Sequence, residues 1–256
     1  MDEHRFITFT RAKGRADLVL NRPPRNLMNV EMLEEIVDVL GKAREDETLK
    51  VLVIKGAGTN FSGGLELEER SSDRVGILMP LFTRMFDYLN EICGLTIAAA
   101  EGEVSDGGFE LYSFCDVCIA TEGTIFSFPE ITFGHYPLIA TAILPRLVGR
   151  NRALDWIISG DKISSREAYR AGMINRLARD GELMVEINRY ADKIANFSAP
   201  AIIWAKRAID RTLYTSVMEA LRTSESTYMI DLLNNIDPHE GLKAAIEGRA
   251  PVWRDI

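Results

Sequence analysis

Residues 95–137 leave the chain few ways to fold. The run Leu95-Thr96-Ile97-Ala98-Ala99-Ala100 is short and apolar, as in a buried strand. Turns follow at Gly102 and again at Asp106-Gly107-Gly108. A short helix then starts, with Glu110 in its first turn. A second apolar run covers 117–120, and Phe126-Ser127-Phe128-Pro129 leads to another carboxylate, Glu130. A helix opening at Gly107 and Gly108 leaves N–H groups without intrahelical partners, at the positive end of the helix dipole. Two glutamates on separate elements stand near it in sequence. That combination suits a reaction that builds negative charge on an oxygen and moves protons beside it.

The flanking sequence places this stretch in a larger pattern. Residues 6–10 and 16–20 read as two strands around Ala12-Lys13-Gly14, and Asn21-Arg22-Pro23-Pro24 reads as a stiff loop. Asn29 caps an amphipathic helix with Met32, Ile36, Val37 and Leu40 on one face. Residues 50–55 form a buried strand, followed by the glycine-rich turn Asn60-Phe61-Ser62-Gly63-Gly64-Leu65. Glu66, Glu68, Glu69 and Arg70 read as a polar, mobile segment. Helical spacing is predicted over 75–92, 141–148 and 152–158, with a short helix from Ser164 and an extended piece at 173–177. From 182 onward nearly everything is helical: 182–195, 200–213, 216–234 and 238–248. Strands alternating with helices to about residue 180, then a helical tail, define an α/β chain with an appended helical section. No Pro/Gly-rich linker divides it.

Charge and cysteine usage narrow the function. The 256 residues carry a net charge of −8, which argues against a nucleic-acid partner. Apolar runs fall short of a membrane span, and the N-terminus lacks an apolar leader, so a cytoplasmic protein is expected. Cys93, Cys115 and Cys118 suggest no disulfide framework, and Cys115 with Cys118 reads as a buried structural pair. His4, His135 and His239 are scattered, so no metal site is expected. Lys206, Arg207 and Arg211 form a basic stripe of the kind that is usually solvated, although at a subunit contact it could meet phosphates.

Gly107-Gly108-Phe109-Glu110-Leu111, Cys115-Asp116, Ile119-Ala120, Phe126, Pro129-Glu130-Ile131 and Gly134 together resemble the signature of the crotonase (enoyl-CoA hydratase/isomerase) superfamily. The agreement extends to Leu20-Asn21-Arg22-Pro23, Phe61-Ser62-Gly63-Gly64, Leu144-Pro145-Arg146-Leu147-Val148-Gly149 and Ser159-Gly160-Asp161. The resemblance implies a spiral of ββα units over 1–195 and a helical trimerisation region over 196–256, commonly assembled as a homotrimer or a dimer of trimers. It implies an acyl-CoA substrate, with coenzyme A part of that substrate and no separate cofactor. By position, the N–H groups of Leu65 and Gly107 form the oxyanion hole, so Gly108 need not donate. Glu110 and Glu130 match the pair that holds the water. Arg25, Leu27, Gly63, Glu66 and Leu67 match the segments along which CoA lies.

Two departures bear on the substrate pocket. Asp106 stands where the family often has a glycine; it is expected to cap the helix, or else to contact substrate or water. After Gly134, the run His135-Tyr136-Pro137-Leu138-Ile139-Ala140-Thr141 lacks the glycines common in hydratases, so His135 and Tyr136 should line a bulkier pocket wall. These features resemble the cyclohexa-1,5-diene-1-carbonyl-CoA hydratases. Residues 133–137 also resemble crotonase-like dehydratases and decarboxylases of polyketide β-branching, which act on carrier-protein thioesters.

Overall fold

A computed structural model describes residues 4–71 and 73–256. The chain opens with the antiparallel pair β1 (Ile7–Ala12) and β2 (Arg15–Leu20), followed by helix α1 (Val30–Ala43) and strand β3 (Val51–Gly56). Next come α2 (Val75–Glu91), β4 (Leu95–Ala100), β5 (Glu103–Ser105), α3 (Gly107–Phe114), β6 (Val117–Thr121) and β7 (Ile125–Ser127). Then follow α4 (Ala140–Val148), α5 (Arg150–Ser159), β8 (Ile163–Ser164), α6 (Ser165–Arg170), β9 (Arg176–Ala178) and α7 (Leu183–Ala195). Helices α8 (Ala199–Thr212), α9 (Val217–Ser226) and α10 (Asp237–Glu247) complete the chain. Among the described residues the main sheet runs β1-β2-β3-β4-β6-β9, parallel except for its first pair, and a small sheet runs β5-β7-β8. No helix is long and apolar enough to cross a membrane, again among the described residues.

The apolar runs are continuous because the parallel strands are covered on both faces. On β3, Val51 and Val53 join Ile97, Ala99 and Ile119 beneath Leu183, Ile187 and Ala191 of α7. Leu52 and Ile54 turn the other way, into the larger core with Met32, Leu33 and Ile36 of α1 and with Phe82 and Met85 of α2. Helix α1 starts where the sequence places it, with the Asn29 side chain accepting from the Met32 N–H at 3.0 Å.

What positions the site is the packing of three loops. Residues 62–65 run between two neighbours, bridging to Met28 on one side and to Val104 on the other. The Met28 N–H donates to Gly64 O at 2.8 Å, the Glu66 N–H to Met28 O at 2.9 Å, and the Ser105 N–H to Ser62 O at 2.9 Å. Asn26 pins the arrangement. It is fully buried, and its amide donates to the carbonyls of Ala57 (2.9 Å), Asn60 (2.8 Å) and Phe61 (3.2 Å). Its Oδ1 accepts from the Arg22 N–H at 3.0 Å, and its own carbonyl accepts from Ser62 Oγ at 2.9 Å.

Several expectations need correction. The helix expected over 216–234 ends as α9 at Ser226 and passes into a π-helical turn, Thr227–Leu232, with the Leu233 N–H donating to Tyr228 O. Of the extended piece expected at 173–177, only its end joins a strand, β9. Glu69 and Arg70 are not a free polar segment. Glu69 is buried, accepts from the Val30 N–H at 2.6 Å and pairs with Arg74. The basic stripe is only partly solvated: Lys206 donates to Asp116 at 2.7 Å and to the carbonyls of Ile92 and Gly94, whereas Arg211 is exposed and pairs with Asp231.

Truncating Asn26 strips three backbone carbonyls of a buried donor. Asn26→Ala is expected to cost at least about 3 kcal/mol, since each of three buried polar groups left unsatisfied costs about 1–3 kcal/mol. Urea unfolding followed by far-UV circular dichroism checks this, and Asn26→Asp, which loses the same donors, should behave alike.

Candidate active site

Helix α3 carries the site, and its burial sets the chemistry. Every residue from Gly107 to Ser113 is buried, so Glu110, at 2 % exposure, sits in the core rather than on a surface. The helix is held by aromatic rings that also hold its neighbours. Phe109 stacks on Phe128 with centroids 4.3 Å apart, and Tyr112 meets Phe61 edge-on at 5.6 Å. Phe61 precedes the loop that ends in Leu65, and Phe128 precedes Pro129-Glu130. Rings of this kind contribute about 0.5–1.5 kcal/mol per pair beyond area burial. Here they also fix three segments relative to one another.

Glu110, Glu130 and Leu65 line one small cavity of about 80 Å³, together with Arg70, Val75, Met79, Phe82, His135, Tyr136, Pro137 and Leu138. Gly107 opens α3 beside it, and a Cβ at Gly107 would lie 3.1 Å from Leu65 Cγ and 3.0 Å from Phe82 Cζ. The structure therefore brings together the four residues that the sequence marks as glutamate pair and oxyanion hole. Glu110 Oε1 accepts from the N–H groups of Ile139 (2.5 Å) and Ala140 (2.8 Å), at the start of α4. Both bonds fall on one oxygen, which leaves Oε2 available to a water. Burial pushes the Glu110 carboxyl up to about 7, against the pull of the two N–H groups; nearby Asp106 adds to the rise. Glu130, at 1 % exposure, has neither carboxyl oxygen paired with a protein donor among the described residues. Burial, and after it the adjacent Asp106 side chain, pushes Glu130 up to about 9. At neutral pH Glu130 keeps its proton while Glu110 is poised at its titration.

Asp106 corrects an expectation. It occupies the N-cap position of α3, but its side chain makes no capping hydrogen bond. Its φ is 53°, a conformation that non-glycine residues rarely adopt and that costs of order 1–3 kcal/mol. The carboxylate instead turns toward the preceding loop. Oδ2 accepts from the Leu65 N–H at 3.2 Å, and Oδ1 accepts from Arg70 Nη2. Arg70 is the site residue that sequence reasoning missed. It sits in a polar run with no helical or strand period, and only its depth in the cavity, at 12 % side-chain exposure, reveals it.

The residues matched to the CoA segments fall along one strip. The Gly63 N–H donates to Arg25 O at 2.8 Å, and the Arg25 guanidinium is held by Glu103 at 2.8 and 2.6 Å. Leu27 O accepts from Arg22, which also pairs with Glu66, and Leu67 is exposed at the end of the strip. His135 and Tyr136 are exposed and line the cavity mouth, while the backbone of the same segment reaches inward to Glu110.

Comparison with known proteins gives this geometry a family. A profile of the enoyl-CoA hydratase/isomerase family matches residues 10–256, and the chain belongs to that family of enzymes. It is 32% identical over 241 residues to the "Probable enoyl-CoA hydratase" of Rhizobium meliloti (strain 1021), covering 93% of each chain. It is 30% identical to the mitochondrial enoyl-CoA hydratase domain-containing protein 3 of Rattus norvegicus, across 98% of this chain and 85% of that one. Among solved structures, the enoyl-CoA hydratase from Bacillus anthracis superposes with a TM-score of 0.92 at 28% identity, covering 98% of this chain and all of the other. The crotonase fold expected from the sequence is the fold observed.

A carboxyl raised in the folded state favours the protonated form, so its stabilising protonation is lost as pH climbs from the unfolded value, about 4.3, through about 9. Glu130→Gln removes that loss. The variant is expected to melt at a higher temperature than the parent, with a gap that widens between pH 5 and pH 9. Thermal unfolding at pH 5, 7 and 9 measures it.

Proposed function

We propose that this enzyme adds water across the double bond of an α,β-unsaturated acyl-CoA thioester. The observation that carries the reading is the pair of buried glutamates, Glu110 and Glu130, on one cavity, both held above the usual carboxylate range and Glu130 further than Glu110. In this reading the thioester carbonyl accepts from the Leu65 and Gly107 N–H groups. A water lies between the glutamates. Glu110 takes a proton from it as the oxygen bonds to the β-carbon, and the electron pair of the double bond passes to the thioester oxygen. Glu130 then gives its proton to the α-carbon, and water has been added. Removing one oxyanion donor of this kind typically costs about 10²–10³ in rate.

For the acyl group we propose a cyclic dienoyl thioester, cyclohexa-1,5-diene-1-carbonyl-CoA in kind. The support is the shape of the wall: residues 135–141 put His135, Tyr136, Pro137 and Leu138 around the cavity where small residues would leave a longer channel. Coenzyme A would lie along the strip from Arg25 to Leu67. We further propose a homotrimer or dimer of trimers. Val217 (75%), Leu242 (65%) and Ile246 (80%) are large apolar side chains left open on the C-terminal helices, a pattern that calls for partners.

A substrate panel read by loss of the conjugated-thioester absorbance tests the acyl assignment. Turnover of cyclohexa-1,5-diene-1-carbonyl-CoA with little on crotonyl-CoA is expected, and activity on crotonyl-CoA alone would sink it. Glu110→Gln and Glu130→Gln should each lower kcat by at least ~10³ with acyl-CoA still bound, since each removes a proton-transfer group worth roughly 10²–10⁴. Near-full rate in either variant would end the two-glutamate mechanism. The active form needs Glu110 ionised and Glu130 protonated. The kcat/KM profile is therefore expected to rise with a limb near pH 7 and to fall with a limb near pH 9.

A further inference from the structure

The Leu65 N–H assigned to the thioester carbonyl is already in use. In the substrate-free chain it donates to Asp106 Oδ2 at 3.2 Å. A backbone N–H has one proton, and a carboxylate seated on it both occupies the donor and places negative charge where the oxyanion forms. The placement is built in from both sides. Gly64 carries a φ of 101°, and a Cβ there would fall 2.4 Å from Asp106 Cβ, so the loop comes this close only because residue 64 has no side chain. Asp106 accepts its own strained φ of 53° to reach across. Arg70 holds the other carboxylate oxygen at a depth where neither side chain is more than 12% exposed.

We infer that Asp106 is a positioning residue that stands in for the thioester oxyanion in the resting enzyme, and that an acyl thioester seats only when the Asp106 carboxylate gives up the Leu65 N–H. The inference rests on the acyl-CoA reading above and adds to it an internal competitor for the oxyanion hole. Two neighbouring groups can take the displaced carboxylate. Arg70 stays bonded to Oδ1. Glu130, whose carboxyl oxygens have no protein donor among the described residues, lies beside Asp106, and in its protonated form it can donate to that carboxylate. The carboxylate therefore keeps these two neighbours when it gives up the N–H and is not stranded in an apolar cavity.

The test compares ligands that differ only in the carbonyl. Free CoA fills the nucleotide strip but has no thioester, whereas butyryl-CoA has the carbonyl and no double bond to hydrate. Isothermal titration with both ligands is made on the parent, Asp106→Asn and Asp106→Gly. Butyryl-CoA is expected to bind at least ~10-fold more tightly to Asp106→Gly than to the parent, about 1.4 kcal/mol, with Asp106→Asn between them and CoA unchanged in all three. The infrared carbonyl band of bound [1-¹³C]butyryl-CoA should move to lower wavenumber in Asp106→Gly, which reports stronger donation from the hole and which a merely structural role would not produce. Unchanged or weaker butyryl-CoA binding in both variants overturns the inference, as does a parallel change in CoA. Asp106→Asn keeps the side-chain volume, so a folding defect confined to the glycine variant leaves the comparison intact. If butyryl-CoA binds to none of the folded proteins, the acyl-CoA reading falls and takes this inference with it.

Discussion

The Asn26 side chain is the contact on which the site's geometry depends. Three carbonyls of the 57–61 segment converge on one buried amide, and the loop they belong to delivers Leu65 to the mouth of α3. Its Ser62-Gly63-Gly64 stretch has no side chain large enough to wedge it and little rigidity of its own. Its position is borrowed from hydrogen bonds on either side, Met28 and Val104 in the bridges and Asn26 beneath. Oxyanion stabilisation requires a donor already aimed before charge develops. Under the proposed function, the aim of the Leu65 N–H traces to one amide group more than thirty residues away in sequence.

The electrostatic consequence follows from where that loop is pinned. Glu110 and Glu130 line a single cavity with the guanidinium of Arg70, and Asp106 sits against Arg70 and Glu130 at its edge. Three acids in an apolar pocket cannot all stay ionised, because desolvation and mutual repulsion act in the same direction. The environments separate them. Asp106 takes the guanidinium and a backbone N–H, Glu110 takes two backbone N–H groups, and Glu130 takes none. The order of donors is the order of acidity seen for the two glutamates, about 7 and about 9. An acid and a base made from the same side chain are thereby distinguished by what their neighbours donate.

Much of this was legible in the sequence, and the boundary of legibility has physical reasons. Strands β1 to β4 and β6 and helices α1 and α2 announce themselves because apolar period and turn chemistry are local properties. The glutamate pair and the oxyanion positions emerge from a family resemblance spread over most of the chain. The small sheet of β5, β7 and β8 does not, since strands of two or three residues carry no period to read. The role of Asp106 is hidden in sequence for a similar reason. An aspartate before a short helix is ordinarily a cap, and only the approach of residue 64 from forty positions upstream gives its carboxylate a better partner. Arg70 is invisible in sequence because its role is set by a carboxylate that turned the unexpected way.

The division of labour in residues 135–141 explains how such a site can change substrate without losing its chemistry. That segment lacks the glycines found in many hydratases, yet it is what restrains Glu110, and it does so through the N–H groups of Ile139 and Ala140. Backbone donors are indifferent to side-chain identity as long as the turn into α4 is kept. The side chains of His135, Tyr136 and Leu138 meanwhile face the cavity from the same segment. The backbone atoms of this short stretch hold Glu110, and its side chains shape the cavity wall. Substitutions at 135, 136 and 138 can reshape the pocket while the base stays in place, whereas a proline at 139 or 140 would remove a donor outright and leave a buried carboxylate with half its support.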